Sequence, residues 1–217
     1  MQIERIVSSL TGLGASWVLW LLVILSLVAL AVVIERAVFF SSSRDDVEGL
    51  RAEVLKRLRA GEVKLALRRL EESPSPEASI LRAGLASGLR DELEREAVSE
   101  RVAAEAERSR LAMEKNLAFL GTVGSNAPFV GLLGTVIGII RAFHELDASA
   151  GKLSSGLMAE IGEALVATAA GLLVALPAIA FFNLFQRLIR ARLGRAEALS
   201  RDALAELGSR LAPEGAE

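Results

Sequence analysis

Three long stretches without a charged residue dominate this sequence. Residues 6–34, 116–140 and 164–186 contain no Asp, Glu, Lys or Arg, although 24% of the whole chain is charged. Each stretch exceeds the roughly 20 residues that an α-helix needs to cross a bilayer. Because a soluble core has no need for three such stretches, the sequence predicts an all-α membrane protein with three transmembrane helices.

The positions of Lys and Arg predict how these helices are oriented. Residues 41–115 contain 15 Lys and Arg, and the tail from Arg187 onward contains six. The N-terminal flank has only Arg5, and the second loop has only Lys152. Since basic residues accumulate on the cytoplasmic side, the N-terminus is predicted outside and the C-terminus inside. The predicted segments are an outward N-terminal segment 1–16, transmembrane helices 17–40, 116–142 and 159–187, a cytoplasmic helical segment 41–115, a short periplasmic loop 143–158 and a cytoplasmic C-terminal helix and tail 188–217.

The cytoplasmic segment has helical spacing with few interruptions. Gly61 is predicted to separate two short helices, and the SPSP sequence at 73–76 marks a break. Residues 91–120 contain no Pro or Gly, which predicts one helix that continues into the second span. The third span is likewise predicted to continue into the tail. The mixed charges of this segment favour a solvated helical face, with a docking surface for a cytoplasmic partner as the alternative.

Small residues form a stripe on each of the last two spans. On the second span they fall within an arc of about 100°, and on the third within about 80°. Such stripes let helix backbones approach closely in lipid, or line a narrow lumen. Both interpretations remain open on the pattern alone. The bulky residues, Ile137 among them, mostly lie outside these arcs. The residues are Gly121, Gly124, Pro128, Gly131, Thr135, Gly138 and Ala142 on the second span, and Ala164, Thr168, Gly171, Ala175 and Ala178 on the third.

Two threonines and one glutamate stand out against this background. Thr135 and Thr168 lie one on each stripe, and Glu163 begins the third span. An ionisable residue in a span is costly and often marks an ion pathway, although Glu163 at the interface would merely cap the helix. Glu163 and Thr168 are about 140° apart on a straight helix, and Glu160 lies closer to the Thr168 stripe. Glu163 therefore faces either a broad lumen or a neighbouring helix. Pro128 and Pro177 are predicted to bend their helices.

Other classes of function find no support in the sequence. There is no cysteine and only one histidine, His144, which is predicted to be exposed at the membrane border. No metal-ligand spacing, nucleophile triad or phosphate-binding loop occurs. The basic residues alternate with acidic ones, so no nucleic-acid surface is predicted. We therefore expect no enzyme activity, no cofactor and no metal.

Two segments carry a family resemblance. The sequences NAPFVGLLGTVIGIIRAF in the second span and GEALVATAAGLLVALPAIAFFN in the third resemble the MotA/TolQ/ExbB proton channel family. Three spans resemble the TolQ and ExbB branch, because MotA-type subunits have four. The resemblance implies a ring, typically of five copies, around a single-span partner of the ExbD or TolR type that carries a membrane Asp. It also implies that Thr135, Glu163 and Thr168 line the proton pathway together with the small residues.

The resemblance further implies a proton-driven subunit of an energy-transducing complex in the bacterial inner membrane. Such complexes drive TonB-type import, Tol-type envelope maintenance or motility, and a TonB-like, TolA-like or motility protein would be a further partner. The sequence does not choose among these processes. The alternative is a membrane scaffold, in which the small-residue stripes serve only the packing of an oligomer.

Overall fold

The computed structural model describes residues 16–88, 95–149 and 152–211, and all regular elements there are helices. The predicted N-terminal segment 1–16 lies outside this part of the chain except for Ser16. The helices are α1 Ser16–Ser42, α2 Val47–Arg59, α3 Val63–Glu72, α4 Pro76–Gly88, α5 Arg95–Glu114, α6 Leu117–Ala148 and α7 Ser155–Leu211. Helices α1, α6 and α7 are long and apolar enough to cross a membrane, as the uncharged stretches predicted.

The described residues separate into two compact units. The first contains the part of α1 up to Glu35 together with Asn116–Leu184, and the second contains Arg36–Lys115 and the chain from Phe185. The predicted transmembrane residues therefore fall mostly in the first unit. The predicted cytoplasmic segment and tail make up most of the second.

In the first unit, a few residues of α1 are buried, while several of its large apolar side chains are exposed. Val18 and Leu22 are buried, whereas Trp20 is 69% exposed. A methyl group added at Gly134 of α6 would lie 3.1 Å from a methyl carbon of Val18, so the two helices meet there. Ile137, one turn from Gly134, is also buried. It lies off the small-residue stripe, as its helical angle predicted, so α6 buries more than the stripe face.

The prediction of one unbroken helix from the cytoplasmic segment into the second span is wrong. Helix α5 ends at Glu114 and α6 begins at Leu117. Between them Asn116 adopts a left-handed conformation with φ 63°, which asparagine tolerates better than most residues. Its side-chain amide donates to Glu35 at 3.1 Å. An asparagine at the end of a helix is a recognised helix-ending signal. The prediction of one continuous helix relied on the absence of Pro and Gly and missed this signal.

The other helix boundaries follow the sequence signals. Gly61, with φ 80°, stands between α2 and α3, as predicted. The SPSP break precedes α4, where the Ser75 hydroxyl accepts the Ala78 N–H at 3.2 Å and caps the helix. Helix α7 runs without interruption from Ser155 to Leu211 and contains Pro177, so the third span does continue into the tail as one helix.

An apolar core with a buried arginine holds the second unit together. Ten buried apolar residues of α2, α3, α4 and α7 form one cluster. The guanidinium of Arg192, 6% exposed, donates to the carbonyl of Phe40 at 2.8 Å and to the Ser43 hydroxyl at 2.6 Å. Burial lowers the pKa of Arg192 from its ordinary value. The cluster residues are Leu50, Val54, Leu58, Ala66, Leu70, Ala78, Leu81, Leu85, Leu199 and Ala203.

Candidate functional site

The site lies in the first unit, where α6 and α7 pack with their backbones close together. A methyl group added at Gly131 would lie 2.7 Å from the Ala167 carbonyl oxygen, and one added at Gly171 would lie 2.6 Å from that of Ala127. Gly138 is equally close to Ala164. Only residues without larger side chains permit this approach. These contacts are the ones that the packing interpretation of the stripes requires within a single chain.

The remaining stripe residues extend the same contact. Gly124 lies against Ile179, and Gly121 lies against the ring of Phe182. Ala175 and Ala178 are both buried. Pro128 and Pro177 lie inside α6 and α7 respectively, and a bend at either position stays a prediction.

The structure brings the two predicted threonines together across this interface. The hydroxyls of Thr135 and Thr168 are in direct hydrogen-bond contact. Both are also within reach of the Gly131 carbonyl oxygen, at 3.2 Å for Thr135 and 3.3 Å for Thr168. Both residues are only half-buried. A hydroxyl can donate one hydrogen bond and accept others. The two hydroxyls and the carbonyl oxygen therefore form a polar cluster between two apolar helices, and the hydrogen bonds within it can rearrange.

Glu163 makes its hydrogen bond with α1 rather than with the threonine pair. One of its carboxylate oxygens accepts a hydrogen bond from the Ser16 hydroxyl of α1 at 2.9 Å. Of the two orientations that the helical angle left open, this contact is the one with a neighbouring helix. Ser16 was not singled out in the sequence, because nothing in the pattern relates positions 147 residues apart.

A charged pair that the sequence analysis did not identify lies at the loop end of the same two helices. Arg141 of α6 and Glu160 of α7 form an ion pair with a nitrogen–oxygen distance of 2.8 Å. The second carboxylate oxygen of Glu160 is buried and has no hydrogen-bond partner among the described residues. The sequence feature that could have pointed to Glu160 was its angular position around the helix, which lies near the Thr168 stripe.

The described residues offer no metal site. Within this part of the chain no three His, Asp or Glu side chains converge in a way that would hold an ion. His144 is exposed, as predicted. The chemistry available at the site therefore consists of hydroxyls, carboxyls and one guanidinium.

These features define an α-helical protein with three helices long and apolar enough to cross a membrane, of which the second and third share a pair of threonine hydroxyls. The sequence profile of the MotA/TolQ/ExbB proton channel family matches residues 72–198, more than half of the chain. The chain belongs to this family. The match covers α6 and most of α7, including both threonines and both carboxyls of the site.

Individual relatives point to the TolQ and ExbB branch. A putative biopolymer transport protein ExbB-like 2 from Helicobacter pylori (strain ATCC 700392 / 26695) is 48% identical over 77 residues, covering 36% of this chain and 51% of that protein. The biopolymer transport protein ExbB of Xanthomonas campestris pv. campestris (strain B100) is 33% identical over 152 residues, covering 63% and 60%. The Tol-Pal system protein TolQ of Pseudomonas aeruginosa is 34% identical over 127 residues, covering 58% and 49%. The chain thus spans about half to three fifths of these relatives.

Proposed function

We propose that this chain is the multi-span subunit of a proton-driven complex in the bacterial inner membrane. In this proposal it acts with a single-span partner that carries a membrane-embedded Asp and couples proton movement to work in the cell envelope. The observation that carries the proposal is the contact of the Thr135 and Thr168 hydroxyls at the Gly131 carbonyl. It lies within the segment that matches the proton channel family.

The energetics of proton movement favour groups of this kind. One charge that crosses the membrane field releases about 2.3 kcal/mol per 100 mV. A pathway that uses this energy has to stabilise a passing proton without binding it tightly. Hydroxyls satisfy this requirement because they donate and accept hydrogen bonds and stay uncharged near neutral pH. Glu163, held by Ser16, supplies an ionisable group in the same unit.

The exposed faces of α6 and α7 support assembly into a ring of copies. In the single chain, large apolar side chains are exposed on both helices, for example Phe129 at 68% and Leu173 at 75%. Exposed apolar surface of this kind is covered by lipid or by protein. In the proposed ring, typically of five copies, the neighbouring copies and the single-span partner cover part of it, and lipid covers the remainder.

The proposal also covers the orientation of the chain in the membrane and the envelope process that it drives. The Lys and Arg distribution supports an outer N-terminus and an inner C-terminus. The relatives' names divide between biopolymer transport and the Tol-Pal system. The proposal therefore does not choose between these processes, and in it the chain transmits proton energy to an envelope protein of the TonB, TolA or motility type.

Proton flux into vesicles tests the proposal. The full chain is co-purified with its single-span partner and reconstituted into liposomes that contain a pH-sensitive dye, and a membrane potential is imposed. The wild-type complex should acidify the vesicles faster than empty liposomes, and Thr168→Ala or Glu163→Ala should abolish the flux while the complex stays assembled. Thr122→Ala is the matched control, because the exposed Thr122 hydroxyl only donates to its own helix at Ala118.

The scaffold alternative predicts a different result. The tight glycine contacts of α6 with α7 lie within one chain and are explained by packing without a proton pathway, so a scaffold is the second candidate. In that case Glu163→Gln is silent, Gly131→Leu breaks the assembly, and the wild-type complex shows no flux above that of empty liposomes.

A further inference from the structure

Glu160 and Glu163 lie three residues apart near the start of α7, and each is held by a different helix. Arg141 of α6 pairs with one oxygen of Glu160 at 2.8 Å, and Ser16 of α1 donates to Glu163 at 2.9 Å. Residues three apart on a helix are surface neighbours, with Cβ atoms about 5–6 Å apart. The two side chains therefore start from neighbouring positions on the helix surface, and within the described part of the chain only Glu160 has a cationic partner.

The two carboxylate oxygens of Glu160 lie in different surroundings. Its side chain is 18% exposed and Arg141 is 36% exposed, so the ion pair reaches the surface of the chain. The other oxygen is sealed and has no hydrogen-bond partner among the described residues. A buried carboxylate oxygen without a donor is unfavourable, and a proton or a water molecule would satisfy it. The last side-chain torsion of Glu has a broad distribution, and rotation about it would exchange the two oxygens.

We infer that Glu160, with Arg141 as its counter-ion, is a second proton-transfer carboxyl that exchanges a proton with Glu163. A hydronium ion at the loop end gives its proton to the Glu160 carboxylate, which becomes a neutral acid and leaves water behind. Rotation turns the protonated oxygen inward. The proton then passes, directly or through one water molecule, to the Glu163 carboxylate, and Glu160 regains its charge and its pair with Arg141. The inference rests on the proposed function and extends its pathway toward the loop.

The charges around the pair are few. Besides Arg141, Glu145 lies one turn further along α6, where it accepts the Ser154 hydroxyl at 3.3 Å. The part of α1 from Ser16 to residue 34 contributes no charged side chain. The two carboxyls thus differ in their partners, a guanidinium for Glu160 and a hydroxyl for Glu163. Arg141 is the only cation that the described residues place on either of them.

The first experiment measures flux in the reconstituted complex over a range of external pH. Glu160→Gln should lower the flux about tenfold or more, as expected for loss of a proton-transfer group, and should change its pH profile. Glu160→Asp keeps a carboxyl and should retain part of the flux. Glu145→Gln is the matched control and should match wild type. Wild-type flux and an unchanged pH profile in Glu160→Gln would overturn the inference.

A double variant separates proton transfer from a purely structural clamp. Arg141→Met/Glu160→Leu replaces the partly buried ion pair with apolar side chains of similar bulk and leaves neither charge without its partner. It should fold and assemble but conduct poorly. Wild-type flux in this variant would mean that the pair only holds α6 and α7 together, and the inference would fail.

A second experiment does not depend on conduction. Infrared difference spectra of the full chain in lipid, recorded on acidification, report carboxyl protonation through the carbonyl stretch of the acid. Glu160→Gln should remove one component and shift the component that Glu163→Gln removes, because coupled carboxyls titrate as a pair. Glu145→Gln should leave the Glu163 component in place. If the Glu163 component does not shift in Glu160→Gln, the inference is overturned, even if the wild-type complex conducts protons. If the component shifts but the wild-type complex shows no flux, only the proposed function is rejected.

Discussion

The hydroxyl of Thr168 on α7 contacts the hydroxyl of Thr135 on α6, and both reach the carbonyl oxygen of Gly131. The two residues are 33 positions apart in the sequence. Thr135 is bonded to its own helix, as threonines in apolar helices often are. Thr168 instead donates across the interface, so the pair acts as one polar group rather than as two separate side chains.

This contact predicts that the two threonines are energetically coupled. Thr135→Val and Thr168→Val each remove a hydroxyl at nearly constant volume, and each should reduce proton flux strongly. The double variant should be little worse than either single one, since residues in one hydrogen-bond network are coupled by about 0.5–3 kcal/mol. Flux measurements on the four proteins of the cycle test this. Strictly additive losses would contradict a shared role.

Tight helix packing predicts that Gly171→Ala is destabilising. The new methyl group would lie 2.6 Å from the Ala127 carbonyl oxygen, and overpacking of this kind costs about 1–3 kcal/mol. Gly162→Ala is the matched control on the same helix, because nothing lies within 4 Å of its added methyl group. Thermal unfolding in detergent should show a lower midpoint for Gly171→Ala alone. Equal midpoints would argue against the close approach of α6 and α7.

The Ser16 contact predicts a specific effect on Glu163. Ser16→Ala removes the hydrogen bond to the carboxylate without adding bulk. Loss of this hydrogen bond changes the immediate surroundings of the Glu163 carboxyl group. The infrared band of protonated Glu163 should therefore shift in Ser16→Ala. Ser125→Ala serves as control, since the Ser125 hydroxyl bonds only within α6, and an unmoved band in Ser16→Ala would count against the contact.

Asp45 in the second unit predicts a pH dependence of stability. The Ser73 side chain, the Asp46 backbone and the charge of Arg69 hold the pKa of the Asp45 carboxyl below its ordinary value, against the opposing effect of burial. Because the folded pKa is the lower one, the stabilisation is complete above the unfolded value of about 3.9 and is lost as pH falls through the folded value. Ser73→Ala removes the largest cause and should raise the Asp45 pKa in a carboxyl NMR titration. Ser79→Ala, whose hydroxyl donates to Pro76, should not.

Sequence alone was sufficient for features that depend on local composition. Three uncharged stretches predict three spanning helices because backbone groups in lipid have to bond within their own segment. Small-residue periodicity on α6 and α7 identified the faces that meet, but it left close packing and a narrow lumen as alternatives. The positions of Gly61 and the SPSP break located helix ends, since their backbone preferences act within a few residues.

Features that depend on contacts between distant positions required the tertiary structure. The structure showed that the chain leaves the helical conformation at Asn116, between α5 and α6, where the sequence predicted one continuous helix. It placed Thr135 against Thr168, Ser16 against Glu163 and Arg141 against Glu160. Helical periodicity gives the angle of a side chain on its own helix but not the neighbour that occupies that angle. That neighbour is set by how three helices pack together, and in this protein the packing assigned each carboxyl its partner.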